Sequence, residues 1–208
     1  MDRIDQAGVG GWLHMPQESP RLALALTHGA GSNCEAPLLK AVAEAFCAAG
    51  AVVLRYDLPF RRLRPTGPPI GSQVKDQDGV RSAVAFLLER TGSVPLVLAG
   101  HSYGGRQTSI AASQDDQLAD ALMLLSYPLH PPGKPEQLRT AHFPDLRIPT
   151  LFVHGTKDEF GTVQEMQTAL ALLSCRHELL VVEGARHGLP AKLAQSLPES
   201  MDRFHKIA

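Results

Sequence analysis

The chain has 208 residues, 44% of them hydrophobic and 20% charged, with a formal net charge of -1. That length supports one sizeable core and is short for two independent enzyme domains, so residues 1–208 read as a single domain. A charge balance this close to neutral gives no electrostatic reason to expect nucleic acid or an anionic membrane surface as a partner.

Three cysteines, Cys34, Cys47 and Cys175, cannot all pair within one chain. The first residues, Met1-Asp2-Arg3-Ile4-Asp5-Gln6, are charged and lack the apolar core of a signal peptide. No stretch approaches the roughly 18 apolar residues of a membrane span. The expectation is a reduced, cytoplasmic protein with free thiols.

In chain order, Gly8 to Met15, with Val9, Trp12 and Leu13, reads as an antiparallel edge strand. Leu22-Ala23-Leu24-Ala25-Leu26 is the first buried strand and ends at Thr27-His28-Gly29. Leu38, Val42, Ala45, Phe46 and Ala49 recur at helical spacing over Pro37 to Ala49, with proline in the first turn and Gly50 at the exit. Ala51 to Tyr56 is the second buried strand, and Val80, Val84, Leu87 and Leu88 mark the next helix. Leu96 to Ala99 is the third, followed at once by a helix. Ala121 to Ser126, Thr150 to Val153 and Glu178 to Val182 follow as strands. Val163, Met166, Leu170 and Leu173 share one face of the helix between the last two, and Leu193, Leu197, Met201 and Phe204 predict terminal helical structure broken or restarted at Pro198. Continuous apolar strands alternating with helices predict an α/β fold, a mostly parallel sheet with helices on both faces.

Two proline-rich loops break the alternation, Arg55 to Ile70 and Pro128 to Pro149. Both follow strands and so lie at the carboxyl edge of the sheet, where open α/β folds place their sites. Neither is long enough for a large cap domain, which predicts a shallow, open site.

Gly100-His101-Ser102-Tyr103-Gly104 stands between the third buried strand and its helix. A G-x-S-x-G sequence in that position is the nucleophile elbow, a turn so tight that the residues two before and two after the serine must lack a side chain. Serine is a weak nucleophile unless a base removes its proton, and the base needs a partner that fixes its tautomer. Sites of this kind supply the groups in the order Ser, acid, His. Asp158 lies in the turn after the fifth buried strand and His187 in the turn after the sixth, so Ser102, Asp158 and His187 are the candidate catalytic residues. Asp57 precedes the serine, His177 lies at the wrong edge of the sheet, and the turn after the fourth buried strand, Tyr127-Pro128-Leu129-His130, holds no acid. His101 reads as packing and His154 as a structural neighbour of the acid turn.

Acyl transfer also needs donors for the developing oxyanion. The backbone N–H of Tyr103 is one candidate. The second comes from the loop His28-Gly29-Ala30-Gly31-Ser32-Asn33, with Ala30 the first choice and Gly31 the second. Arg61, Arg62 and Arg64 either meet an anionic substrate or form a solvated basic loop; Tyr127 and His130 either shape the acyl pocket or form a structural turn. With nine histidines but no H-E-x-x-H or clustered ligand spacing, no metal and no cofactor is expected.

The segments Leu26 to Ser32, the elbow, Ser126-Tyr127-Pro128-Leu129-His130-Pro131-Pro132-Gly133, and the Asp158 and His187 turns together resemble the small dienelactone-hydrolase-related α/β-hydrolases. The likeness points to the branch that includes a testis-expressed protein and a subunit of a histone acetyltransferase complex, and it spans about Leu22 to His187. It implies a serine hydrolase fold without a large cap. Dienelactone hydrolases use a cysteine nucleophile, and Ser102 stands in that position here, so their lactone substrate does not carry over. The expected activity is cleavage of carboxylic esters or related acyl compounds of small-molecule size. The alternative is an interaction module that retains the fold.

Overall fold

Eight strands form one sheet in the order β1-β2-β4-β3-β5-β6-β7-β8: Asp2–Gln6, Val9–His14, Ala51–Tyr56, Leu22–Thr27, Leu96–His101, Ala121–Leu125, Thr150–Gly155 and His177–Val182. The structure, a computed structural model, describes residues 1–6 and 8–206. β1 pairs antiparallel with β2 and β2 with β4; every other pairing is parallel. The parallel strands therefore all end at one edge, and the turns after β3, β5, β7 and β8 converge there.

The helices α1 (Pro37–Ala48), α2 (Pro59–Leu63), α3 (Gln73–Thr91), α4 (Tyr103–Gln114), α5 (Val163–Leu170) and α6 (Leu197–Lys206) complete the fold. Side chains alternate across the sheet. Leu22, Leu24 and Leu26 of β3, with Val53, Val97 and Ala99, pack under Val42 and Phe46 of α1 and Leu197 and Met201 of α6. Ala23 and Ala25, with Val52, Leu54 and Leu98, pack on the opposite face against Val80, Ala83 and Leu87 of α3, Ala111 of α4 and Met166 of α5. Both faces of β3 and β4 are buried, which is why these strands carry the apolar runs Leu22 to Leu26 and Ala51 to Leu54. This is the α/β architecture with helices on both faces, and it carries no large cap.

Two features depart from expectation. The segment Gly8 to Met15 contains the antiparallel strand β2, but the edge belongs to β1, paired through Asp2 opposite Leu13 and Gln6 opposite Val9. Four of the five β1 residues are polar and most are exposed, so no apolar period announced it. Within the proline-rich loop after β4 lies α2, seated where Gly79 of α3 lacks a side chain; a Cβ there would come within 2.4 Å of Pro59 Cδ. At the C-terminus a 3-10 segment, Ala191–Ser196, gives way to α6, so the terminal helical structure restarts at Leu197 with Pro198 in the new helix's first turn, as expected.

The antiparallel pairing of β2 with β4 also places a buried cation. Arg55 of β4 is almost wholly enclosed, yet its guanidinium donates to the carbonyl of Cys34 and its Nε donates to His14 Nε2 at 3.0 Å. Asp57 Oδ1 accepts the Cys34 N–H at 2.7 Å. The loop after β3 is thus tied to β4 through both backbone groups of Cys34. Because His14 Nε2 is an acceptor, this contact requires a neutral ring, and burial together with the Arg55 charge lowers its pKa from 6.5 to about 4. The unfolded chain takes up the His14 proton below its ordinary pKa and the folded chain does not, so this contribution to stability is lost as pH falls from 6.5 towards 4. Urea unfolding across that window is expected to show a pH slope that His14→Gln reduces by up to about 1.4 kcal/mol per pH unit.

Candidate active site

The junction of β5 and α4 sets the position of Ser102. Its backbone is left-handed, φ 52° and ψ -119°, a conformation that costs a residue with a side chain on the order of 1–3 kcal/mol. Glycines make the turn sterically possible. A Cβ on Gly100 would lie 2.5 Å from the Gly105 nitrogen, and one on Gly104 would lie 2.4 Å from the His28 carbonyl oxygen. The turn is pinned on both sides: Ser102 N–H donates to Leu125 O at 2.9 Å, and Arg106 N–H donates to Ser102 O at 3.0 Å. Ser102 is thereby held at the mouth of the sheet's carboxyl edge.

His187 Nε2 lies 2.7 Å from Ser102 Oγ, and His187 Nδ1 lies 2.9 Å from both Asp158 oxygens. The Nδ1–H donates to the carboxylate, leaving Nε2 as acceptor for the serine hydroxyl. Asp158 is buried, and its Oδ1 also accepts the Phe160 N–H at 2.9 Å. The acid and histidine turns are joined by backbone bonds, Lys157 N–H to Ala185 O at 2.8 Å and Thr156 N–H to Val182 O at 3.1 Å. Phe160 covers the imidazole face with ring centroids 4.0 Å apart. His154 donates from Nε2 to Gly161 O at 2.7 Å, bracing the acid turn as expected of a structural neighbour.

His101 has a more specific place than general packing. Its Nε2–H donates to the backbone carbonyl of His187 at 3.1 Å, holding the turn that presents the imidazole. Burial keeps its pKa below 6.5, and its ring is fixed against Gly29, where a Cβ would approach Nδ1 to 3.0 Å.

Ala30 and Tyr103 border the same depression as Ser102, a cavity of about 400 Å3. As the first residue of α4, Tyr103 has an N–H with no acceptor inside its own helix. Among the described residues the Ala30 N–H donates to no other protein group. Gly31, the second choice for this role, is exposed, with open space around it.

Three residues expected near substrate are engaged elsewhere. Arg61 is neither solvated nor offered to a ligand: it is buried, and its guanidinium donates to the carbonyls of Ala30 (2.6 Å), Ser32 (2.7 Å), Arg64 (3.0 Å) and Gly67 (3.0 Å). It clamps the loop that carries Ala30. Arg62 reaches the other way, to Asp5 at 2.7 Å. Tyr127 is fully buried, donating from its hydroxyl to Arg139 O at 2.6 Å, with its ring against Phe143. His130 is buried, its Nδ1 2.8 Å from Pro131 O, and its backbone N–H donates to Phe160 O at 3.0 Å. Tyr127 and His130 form a structural turn that supports the loop beneath the imidazole.

The depression is completed instead by Pro69, Gln73, Arg106, Pro128, Arg139 and Phe160. Arg106 was legible in principle, because a residue four beyond Ser102 in a helix shares its face. Nothing in the Pro128–Pro149 loop distinguished Arg139 by pattern.

The family described as "Alpha/beta hydrolase domain" matches residues 20–205. The chain belongs to the α/β-hydrolase family. Among solved structures, this α/β-hydrolase is similar to Est1E from Butyrivibrio proteoclasticus, with a TM-score of 0.77 and 19% identity over 98% of each chain. It is also similar to dienelactone hydrolase from Anabaena variabilis, with a TM-score of 0.74 and 23% identity over 94% of this chain and 91% of the other. A third likeness is to XC6422 from Xanthomonas campestris, described as an α/β serine hydrolase without lid, at 0.72 and 19% over 94% and 89%. At these identities the likeness establishes the fold.

Arg61 generates a stability prediction. Arg61→Met leaves four carbonyls without their donor, and each lost charge-assisted bond is worth about 1.5–3 kcal/mol. The variant's unfolding free energy in urea is expected to fall below the parent's by at least that amount, with a lower midpoint. A midpoint within error of the parent would show that the clamp contributes nothing.

Proposed function

We propose that this chain is a serine hydrolase that cleaves carboxylic esters or related acyl compounds through an acyl-enzyme. The observation that carries the reading is the continuous hydrogen-bonded chain from Ser102 Oγ through His187 to the buried Asp158, beginning at a serine held with positive φ. Strain at such a position needs a reason, and exposure of a nucleophile supplies one.

In this mechanism Ser102 Oγ attacks the acyl carbonyl carbon as His187 Nε2 takes its proton. The Tyr103 and Ala30 amides stabilise the oxyanion of the tetrahedral intermediate. Collapse of the intermediate expels the alcohol, which receives the proton from His187 and leaves the acyl group on Ser102. Water then attacks the acyl-enzyme with His187 again as base, and the acid is released. Asp158 fixes the imidazole tautomer and stabilises the imidazolium during both steps.

The cavity of about 400 Å3 suits a small-molecule acyl substrate. Two structural neighbours, a dienelactone hydrolase and a serine hydrolase, support the hydrolase class. We place the protein in the cytoplasm, where Cys34, Cys47 and Cys175, all unpaired, would stay reduced; burial and the neighbouring Asp57 raise the Cys34 thiol to about 12, which makes it inert. Among the described residues no helix is long and apolar enough to cross a membrane. The Tyr127 to Gly133 segment supports placement in the branch with the testis-expressed protein and the acetyltransferase-complex subunit.

A fluorophosphonate probe is expected to label the protein at Ser102, with labelling lost in Ser102→Ala. Ser102→Ala and His187→Ala are expected to lower kcat on short p-nitrophenyl esters or acyl-CoA thioesters at least about a thousandfold. Labelling at another serine would overturn the assignment. An absence of both labelling and turnover would favour the interaction module.

A further inference from the structure

Two guanidinium groups line the Ser102 depression, and the hydrolytic steps above use neither. Arg106 stands one helical turn beyond Ser102, and Arg139 comes from the loop between β6 and β7. Arg106 Nη1 donates to Gln73 Oε1 at 2.9 Å, an oxygen that also accepts from Gln107 at 3.3 Å. Arg106 Nε is buried with no hydrogen-bond partner among the described residues. Arg139 Nη1 donates to the Pro128 carbonyl at a long 3.3 Å.

Neither side chain is ion-paired among the described residues, whereas Arg21, Arg55, Arg62, Arg81 and Arg90 each have a carboxylate partner. Two neighbouring carboxylates are committed elsewhere. Asp76 accepts from the Tyr103 hydroxyl at 2.7 Å and the Phe60 N–H at 3.0 Å, and Asp158 holds His187. The two arginines also repel: burial first, and then the Arg106 charge, pull Arg139 below its ordinary pKa. Arginines with a structural task in this chain look different, since Arg61 spends its donors on four carbonyls. A half-buried pair of like charges left to neutral acceptors raises the local potential and attracts an anion.

We propose that Arg106 and Arg139 form an anion-binding subsite of the Ser102 pocket, and that the substrate is a small ester carrying a carboxylate or phosphate on its non-reacting part. This rests on the reading of Ser102 as the nucleophile. The planar guanidinium fork matches either oxyanion in paired hydrogen bonds. The anion anchors one end of the substrate while the ester carbonyl meets the Ala30 and Tyr103 amides, which makes charge the main determinant of specificity.

The test compares kcat/KM for monoethyl adipate with that for ethyl hexanoate, its neutral counterpart, by pH-stat titration. The parent protein is expected to favour the charged ester by about tenfold or more, the value of one hydrogen bond to a charged group. Arg106→Gln and Arg139→Gln are each expected to shrink that ratio about tenfold, and Arg139→Lys to retain part of it. Because the ratio is taken within one protein, a general loss of activity cancels. Competition by adipate against competition by inorganic phosphate identifies which oxyanion the subsite prefers. A parent ratio at or below one, or a ratio unchanged in both glutamine variants, overturns the subsite while leaving Ser102 labelling and neutral-ester turnover intact. If neither ester is turned over and the fluorophosphonate probe does not label Ser102, the nucleophile reading fails. Whenever turnover is absent, calorimetric titration with adipate and phosphate decides the subsite alone. Binding weakened tenfold in Arg139→Gln then supports it, and absence of binding of either anion overturns it.

Discussion

The left-handed turn at Ser102 is the constraint on which the rest of the site depends. β5 must end, the chain must reverse and α4 must begin within two residues, and this is feasible only because Gly100, Gly104 and Gly105 let backbone meet backbone. The turn also determines what surrounds the serine. His28 and its loop pack against Gly104, so the Ala30 amide is brought beside Ser102 by the same close approach that relieves the turn. The exposed amide of Tyr103 follows because it is the first residue of a helix. The proposed nucleophile, the proposed oxyanion donors and the pocket floor thus share one geometric origin.

Arginine serves opposite ends in this chain, and burial alone does not separate them. Arg55 and Arg61 are more enclosed than Arg106 and Arg139, yet their N–H groups are largely consumed by protein carbonyls and, for Arg55, by a neutral histidine. They act as staples, fixing the Cys34 and Ala30 ends of one loop so that its amides do not wander. Arg106 and Arg139 are less buried but poorly satisfied. A staple is recognised by filled donors and a binding group by donors left open beside a cavity.

Much of the architecture was readable because parallel strands buried on two faces must be apolar throughout. β3, β4 and β7 could scarcely have been anything else. β1 was not readable, since a solvent-facing edge strand of Asp, Arg, Ile, Asp and Gln needs only backbone hydrogen bonds to its neighbour. The short α2 escaped notice because its five residues include Pro59 and two arginines, and because its seat is provided by Gly79, twenty residues away. Alternation along β5 assigns His101 to packing, but it could not reveal the His187 carbonyl that the ring holds.

The sequence by itself determined the order and spacing of Ser102, Asp158 and His187, because each must follow a buried strand and buried strands announce themselves by composition. It also placed Ala30 and Tyr103, since glycine-rich turns and helix starts leave backbone amides free wherever they occur. Tertiary structure alone decided which long side chains reach the pocket. A flexible side chain such as Arg61 can point toward substrate or toward its own backbone, and only the positions of the carbonyls around it choose. The same holds for Tyr127 and His130, drawn inward by acceptors and rings from other segments, and for Arg139, brought beside Arg106 from a loop with no pattern of its own. Backbone chemistry is local and can be read along the chain, whereas the destination of a side chain depends on its neighbours in space.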